Sequence, residues 1–291
     1  MMGIWLSDGW EDYEVLSAGG GEKLERWGEY VLLRPDPQAI WPMEPDAVSR
    51  AKPHAHYHRS PTGGGRWEML KKLPEQWRIR YGELVFNVRP TGFKHTGLFP
   101  EQAANWDFMA KKIRDAGRPV RVLNLFAYTG AATLACARAG AEVVHVDAAK
   151  GMVAWAKENL HASGLEDRPV RFLVDDCMKF VLREQRRSRT YHGVVMDPPS
   201  YGRGPDNEMW KLEDRLFSLV EACLPILAEA PLFFLINSYT TGLSPLVLDN
   251  ILRLTVGAQC AGRIEARQIG LPVRSRGLVL PCGSAGRWEA L

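Results

Sequence analysis

Apolar and polar positions change rhythm twice along this chain. Over residues 1–65 tryptophan, proline and glycine are frequent and no period is sustained. That pattern predicts an irregular, partly extended segment, with Trp5, Trp10, Trp27 and Trp41 as anchors onto the rest of the protein. At 77–88 two alternating runs, Trp77-Arg-Ile-Arg-Tyr and Leu84-Val-Phe-Asn-Val, flank Gly82-Glu83. Alternation on both sides of a glycine turn predicts a β-hairpin. A Gly- and Thr-rich stretch at 91–97 then leads into a helix over about 101–116.

From residue 120 the pattern is regular. Apolar runs at 120–126, 142–146, 170–174, 192–196 and 232–236 alternate with helical periods at 131–139, 149–163, 176–187, 207–228 and 244–255. Strands separated by helices imply βαβ units and a mostly parallel sheet. The end of the chain, 264–269 and 277–281, predicts a closing antiparallel hairpin, which makes the sheet mixed. Three segments follow: an irregular N-terminal extension at 1–76, a hairpin and helix at 77–116 leading into the core, and an α/β domain at 117–291.

Composition narrows the classes without choosing among them. With 291 residues, 46% apolar and 24% charged, the chain suits one large domain or a domain with an extension. No apolar run approaches the ~18 residues of a membrane helix, and the start lacks the basic flank and apolar core of a signal peptide. Five cysteines, Cys136, Cys177, Cys223, Cys260 and Cys282, are scattered singly. Such usage reads as reduced thiols in a cytoplasmic protein with no membrane partner. The net charge of +3 is too small to argue for nucleic acid. Its distribution says more, since residues 66–121 hold twelve bases against six acids and 263–291 five against two. Those segments suit a phosphate backbone, and equally suit solvated helix faces.

The chemistry sits at the ends of the strands. The first ends Leu123-Asn-Leu-Phe-Ala-Tyr-Thr-Gly130, where the first βα turn of a doubly wound fold meets its ligand. GxGxxG is absent, so a ligand without a pyrophosphate fits better. Asp147 ends the second strand and can accept two ribose hydroxyls. Asp175-Asp176 ends the third; there Asp176 can accept an adenine amine while Cys177 or Met178 packs on the ring. Each acid read alone is also a helix N-cap. The fourth strand runs Val194-Val-Met-Asp-Pro-Pro-Ser-Tyr201, and its prolines must stop the ladder, leaving Asp197 at the ligand crevice. Ribose, adenine and no phosphate describe S-adenosyl-L-methionine.

These segments together resemble the class I S-adenosylmethionine-dependent methyltransferases. More narrowly, they resemble the bacterial large-subunit rRNA methyltransferases that modify cytosine C5 or guanine N7. His95-Thr-Gly-Leu-Phe-Pro-Glu-Gln102 is similar to the segment that helps cover the cofactor in that group. The resemblance implies a Rossmann-like α/β fold: a mixed, mostly parallel seven-stranded sheet with helices on both faces, plus a small β-containing N-terminal extension. It implies that Thr96, Phe99, Gln102, Phe126, Ala127, Tyr128, Thr129, Gly130, Asp147, Ala148, Asp175, Asp176, Cys177 and Asp197 bind the cofactor, with S-adenosyl-L-homocysteine as product. Asp197, Pro198, Pro199 and Tyr201 face the reacting methyl group, and RNA is the expected partner.

Cytosine C5 methylation requires a thiolate that adds to the ring. The strand after the Asp-Pro-Pro loop ends Ile236-Asn-Ser-Tyr-Thr-Thr, with no cysteine, so a nitrogen acceptor in an rRNA base is favoured over C5. A nitrogen lone pair needs positioning rather than a covalent step. Tyr201 and Tyr239 can stack on an extracted base. Two other readings stay open, a protein or small-molecule methyltransferase and a cofactor-binding RNA assembly factor without catalysis. Monomer and dimer are not separated by the sequence.

Two motifs attract attention and are set aside. His54-Ala-His-Tyr-His58 has metal-ligand spacing, but no acid or cysteine adjoins it, so no metal is expected. The basic cluster at 183–189 ends a helix, where cations complement the dipole.

Overall fold

The structure is a computed structural model that describes residues 3–60, 64–203, 209–240 and 242–291. The chain divides into two compact units. The N-terminal unit is Trp5–Ala104 with Ile269–Cys282, and the C-terminal unit is Met1–Ile4, Asn105–Gln268 and Gly283–Leu291.

The N-terminal unit is strand-rich where the sequence pattern is irregular. Its strands are β1 (Ile4–Leu6), β2 (Tyr13–Gly19), β3 (Glu22–Trp27), β4 (Tyr30–Pro35), β5 (Ala55–Arg59) and β6 (Gly65–Met69), with a short helix α1 (Ala47–Ala51) before β5. β2, β3 and β4 pair antiparallel, β4 and β5 parallel, and β5 and β6 antiparallel. A separate hairpin, β7 (Trp77–Tyr81) and β8 (Leu84–Val88), lies where alternation predicts it. The physical reason for the difference at 1–65 is that two of these strands, β3 and β4, bury charge. Glu25 is 0% and Arg34 5% exposed, so inward positions read as polar and the alternation is hidden. Tyr13 OH donates to Glu25 Oε1 at 2.6 Å, and Arg34 donates to both Glu25 oxygens at 2.6 and 2.8 Å. Three of the tryptophans anchor within this same unit. Trp27 is fully buried against Tyr13, Trp41 Nε1 donates to Ala18 O at 2.8 Å, and Trp10 Nε1 donates to Pro100 O at 2.9 Å.

The C-terminal unit carries the regular alternation. After α2 (Ala103–Asp115) come β9 (Arg121–Leu125), α3 (Ala131–Arg138), β10 (Glu142–Asp147), α4 (Lys150–Ala162), β11 (Val170–Val174), α5 (Cys177–Arg186) and β12 (Gly193–Met196). Then follow β13 (Tyr201–Arg203), β14 (Met209–Lys211), α6 (Leu212–Cys223), β15 (Phe233–Ser238), α7 (Pro245–Leu254), α8 (Val256–Gln259) and the hairpin β16 (Gly262–Val273) and β17 (Leu278–Ala290). The sheet order is β11-β10-β9-β12-β15-β17-β16. The first five strands are parallel, and β17 joins β15 antiparallel, so the strands of this unit make a mixed, mostly parallel Rossmann-like arrangement.

Period-2 alternation along each strand fills both faces. Leu123, Leu125, Val144, Val146, Val194 and Met196 pack with Phe180, Leu216, Val220 and Leu248 of α5, α6 and α7. On the other face Asn124 Nδ2 donates to Thr133 Oγ1 of α3 at 2.9 Å, and Phe108 of α2 meets Phe233 edge-on. The helix expected over 207–228 is shorter. Met209–Lys211 is paired as a strand, α6 starts at Leu212, and Pro225 ends it in a 3-10 turn. Residues 204–208 lie outside the described residues. No helix among the described residues is long and apolar enough to cross a membrane.

Candidate active site at the carboxyl ends of the sheet

The first strand end is a strained turn. Phe126 and Tyr128 hold φ of 53° and 51°, a left-handed conformation that costs a bulky residue of order 1–3 kcal/mol. Neighbours hold it from several sides. Phe126 N–H donates to Cys177 Sγ at 3.3 Å, Ala127 N–H to Val146 O at 3.1 Å, and Tyr128 N–H to Asp147 Oδ2 at 2.8 Å. Asn159 Nδ2 donates to Thr129 O at 2.9 Å. Gly130, at φ 88°, caps α3, and a Cβ there would come within 2.9 Å of Ala156 Cβ. Glycine is thus required by both conformation and space.

Asp147 ends β10, half-buried. Its Oδ2 takes the Tyr128 N–H, and its Oδ1 takes the Ala149 N–H at 2.8 Å. Burial pushes its pKa up, and these two backbone donors pull only partly against that. A carboxylate oxygen offers two acceptor directions, so each still has one to give. Ala148 beside it is exposed.

Asp175 and Asp176 end β11. The Asp175 carboxylate pairs with Arg183. Asp176 caps α5, its Oδ1 accepting the Lys179 N–H at 2.8 Å. Cys177 is buried, and burial pushes its thiol well above the ordinary range. That group is a neutral thiol tying α5 to the first loop, and its state is the opposite of a nucleophile's.

The fourth strand end is β12. Asp197 N–H donates to Leu125 O at 3.3 Å, which sets the acid beside the first loop. Pro198 is buried and Pro199 exposed. Trp210 Nε1 donates to Pro199 O at 2.7 Å, Thr240 Oγ1 donates to Ser200 Oγ at 2.7 Å, and Leu212 N–H donates to Ser200 O at 3.1 Å. Tyr201 opens β13, paired with β14, and is 56% exposed. Tyr239 is half-buried at the end of β15.

The structure therefore brings Phe126–Gly130, Asp147, Asp175–Cys177 and Asp197–Tyr201 to adjacent strand ends of one sheet. Thr96, Phe99 and Gln102 belong to the N-terminal unit. There Thr96 is fully buried, with no hydrogen-bond partner for Oγ1 among the described residues. The Phe99 ring lies 5.3 Å from that of His95, and Gln102 closes the 3-10 turn Pro100–Gln102.

Sequence reasoning missed Trp210. Its ring packs 4.9 Å from that of Phe126 while its N–H holds Pro199, so one side chain joins the first and fourth loops. The helical reading of 207–228 concealed it. A second missed group is the buried chain Arg287–Asn105–Asn237, which braces the end of β15. Arg287 Nε donates to Asn105 Oδ1 at 2.9 Å, and Asn105 Nδ2 to Asn237 Oδ1 at 2.8 Å. Burial pulls Arg287 down to about 9.

The donor set of the strand ends is carboxylates, backbone and aromatic rings. It suits hydroxyls, an amine and a flat ring rather than phosphate, which fits S-adenosylmethionine.

Comparison with known proteins agrees with that chemistry. Residues 45–237 match the model of a family described as S-adenosylmethionine-dependent methyltransferase. A crystal structure of the SAM-dependent methyltransferase from Agrobacterium tumefaciens is 37% identical, covering 99% of this chain and 94% of that one with a TM-score of 0.94. A second solved structure, described as a candidate methyltransferase complexed with SAH, shares the fold at 19% identity. It covers 97% of this chain and 76% of that one, with a TM-score of 0.77. Ribosomal RNA large subunit methyltransferase K/L of Shewanella baltica is 35% identical over 117 residues, which are 40% of this chain and 16% of the relative. The chain thus matches only a small part of the length of that curated relative.

Proposed function

The chain belongs to the S-adenosylmethionine-dependent methyltransferase family, and we propose that it methylates a nitrogen of a nucleobase in ribosomal RNA. When bound, the cofactor supplies an electrophilic sulfonium methyl group. Asp147 would hold the ribose hydroxyls through the acceptor directions that Tyr128 and Ala149 leave open. Asp176 and Cys177 would line the adenine, and Phe126 to Gly130 the methionine end. Thr96, Phe99 and Gln102 are assigned to the cofactor through the segment resemblance.

On the acceptor side Asp197 would receive the proton of the amine or ring nitrogen. Pro198 and Pro199, stiffened by the Trp210 bond, would hold the base in line with the methyl group. Tyr201, exposed beside that loop, offers a ring for an extracted base to stack on.

The choice of nitrogen rests on the strand end beside the Asp-Pro-Pro loop, where residues 236–241 hold no cysteine. Carbon methylation of cytosine needs a thiolate, and the cysteine at this site is a buried thiol that accepts a backbone N–H. Ribosomal RNA as substrate is supported by the similarity to the large-subunit rRNA methyltransferase.

The test is incubation with methyl-labelled S-adenosylmethionine and ribosomal RNA from a strain lacking the gene, followed by digestion to nucleosides and mass mapping. The expected product is one nitrogen-methylated base, lost in Asp197→Ala. 5-Methylcytidine would overturn the nitrogen assignment, and label in protein rather than RNA would overturn the substrate.

A further inference from the structure

We propose that the N-terminal unit carries a transition-metal site of the Zn²⁺ type, built by His56, His58 and Glu68 with Glu22 as a fourth donor. The sequence alone argues against it, because no acid stands next to His54-Ala-His-Tyr-His58. The sheet supplies the acids from other strands.

His56 and His58 are two residues apart on β5, so their side chains share one face. Glu68 of β6 is the cross-strand partner of His56 and lies on that same face. His58 Nε2 is 2.7 Å from Glu68 Oε2, and His56 Nε2 is 2.6 Å from Glu22 Oε1 of β3. The two imidazole centroids are 3.9 Å apart. One ligand atom from each of His56, His58 and Glu68 falls within 4.8 Å of the others. Tetrahedral Zn²⁺ with bonds of ~2.0–2.2 Å holds its ligand atoms about 3.3–3.6 Å apart. Small side-chain rotations close that gap.

Two neutral imidazoles with one or two carboxylates form a nitrogen and oxygen set that suits Zn²⁺. Structural hydrogen bonding alone explains a single His–Glu pair, such as His161 with Glu166 on the surface of α4. It does not explain why two such pairs converge with their imidazoles in contact. A dication there replaces the hydrogen bonds of the two pairs, each neutral imidazole keeping its one proton on the ring nitrogen turned away from the metal, and ties β3, β5 and β6 together. His54 takes no part, since its Nδ1 accepts the Val31 N–H at 3.1 Å.

The experiment uses the full chain without an affinity tag, freed of metal by chelator and titrated with ZnCl₂ by calorimetry, with melting temperature read in parallel. The expected result is one equivalent bound and a raised melting temperature. Affinity should fall at least ~10-fold in His56→Ala and in His58→Ala, the lower end of what losing even an outer partner costs a metal site. Glu68→Gln should weaken it, and His161→Ala should leave it intact. His58 and Glu68 are well exposed, so those two variants keep their fold and decide the matter if His56→Ala does not. Absence of binding to the wild type overturns the site, as does binding that His58→Ala and Glu68→Gln leave unchanged. Visible bands on Co²⁺ titration, present in the wild type and absent in His58→Ala, give an independent readout.

Discussion

Glu25 in the N-terminal unit and Asp147 in the C-terminal unit are both carboxylates withdrawn from water, and their surroundings differ in kind. Burial raises Glu25, but the charges of Arg34 and Lys23 and the hydrogen bonds from Arg34 and Tyr13 overcome it and hold its pKa at about 2. Burial raises Asp147 as well, and only two backbone N–H groups pull back, so its pKa stays above the ordinary value. The first acid spends its acceptors on side chains and works as part of a core. The second is oriented by the backbone and keeps acceptor directions open. That is the difference expected between an acid that stabilises and an acid that waits for a ligand.

Removing the two acids should therefore separate stability from binding. Glu25→Ala leaves Arg34 buried without its partner, and such a loss costs about 3–5 kcal/mol. Urea denaturation should show that drop, while affinity for S-adenosylhomocysteine stays close to wild type. Replacing the pair together, Glu25→Leu with Arg34→Met, should recover part of it. Equal loss in the single and paired variants would contradict the assignment of Glu25 to a paired core network.

Acid sharpens the comparison. His145 of β10 is fully buried, and burial holds its imidazole down to about 3 against an ordinary 6.5. The folded protein keeps it neutral while the unfolded chain takes up a proton below 6.5. Stability is full above that pH and is lost as pH falls toward 3. His95 of the N-terminal unit, down at about 4, acts in the same direction. Glu25 works in a lower window, its contribution present above 4.5 and lost as pH falls toward 2. Between pH 6 and 5 the unfolding free energy should therefore fall by about 1.4 kcal/mol per pH unit for each buried imidazole. His145→Gln should flatten that slope, and Glu25→Gln should leave it unchanged. A slope that His145→Gln does not alter would contradict the account.

The smallest effect belongs to Trp210. Trp210→Phe keeps a ring against Phe126 and removes the N–H that holds Pro199 O. The lost bond, about 1 kcal/mol, should lower kcat roughly fivefold and leave cofactor affinity nearly untouched. A change confined to cofactor affinity would remove Trp210 from the acceptor side.

The same contrast explains how much the sequence disclosed. From residue 120 onward β9, β10, β12 and β15 are largely apolar on both faces, and Asp147, Asp175, Asp176 and Asp197 fall at strand ends, so the fold and the candidate cofactor site are legible together. β2 and β3 are not, because Ser17 and Glu25 are buried polar positions that break the alternation. β14 falls inside a helical expectation because its pairing with β13 joins two separate segments and leaves no local period. The His–Glu cluster is hidden for a similar reason, since its acids come from other strands, Glu68 from β6 and Glu22 from β3. Asp176 is legible as an acid at a strand end, and of its two readings the structure shows the helix cap on α5.

The most direct test of the central claim is calorimetric titration of S-adenosylhomocysteine into the wild type, Asp147→Asn and Glu25→Gln. One site is expected in the wild type, bound at least ~10-fold more weakly by Asp147→Asn because a hydrogen bond to a charged group contributes about 1.5–3 kcal/mol. Glu25→Gln should bind as the wild type does while melting lower. Equal affinity in the wild type and Asp147→Asn would contradict the claim that the open acceptors of Asp147 form the cofactor site.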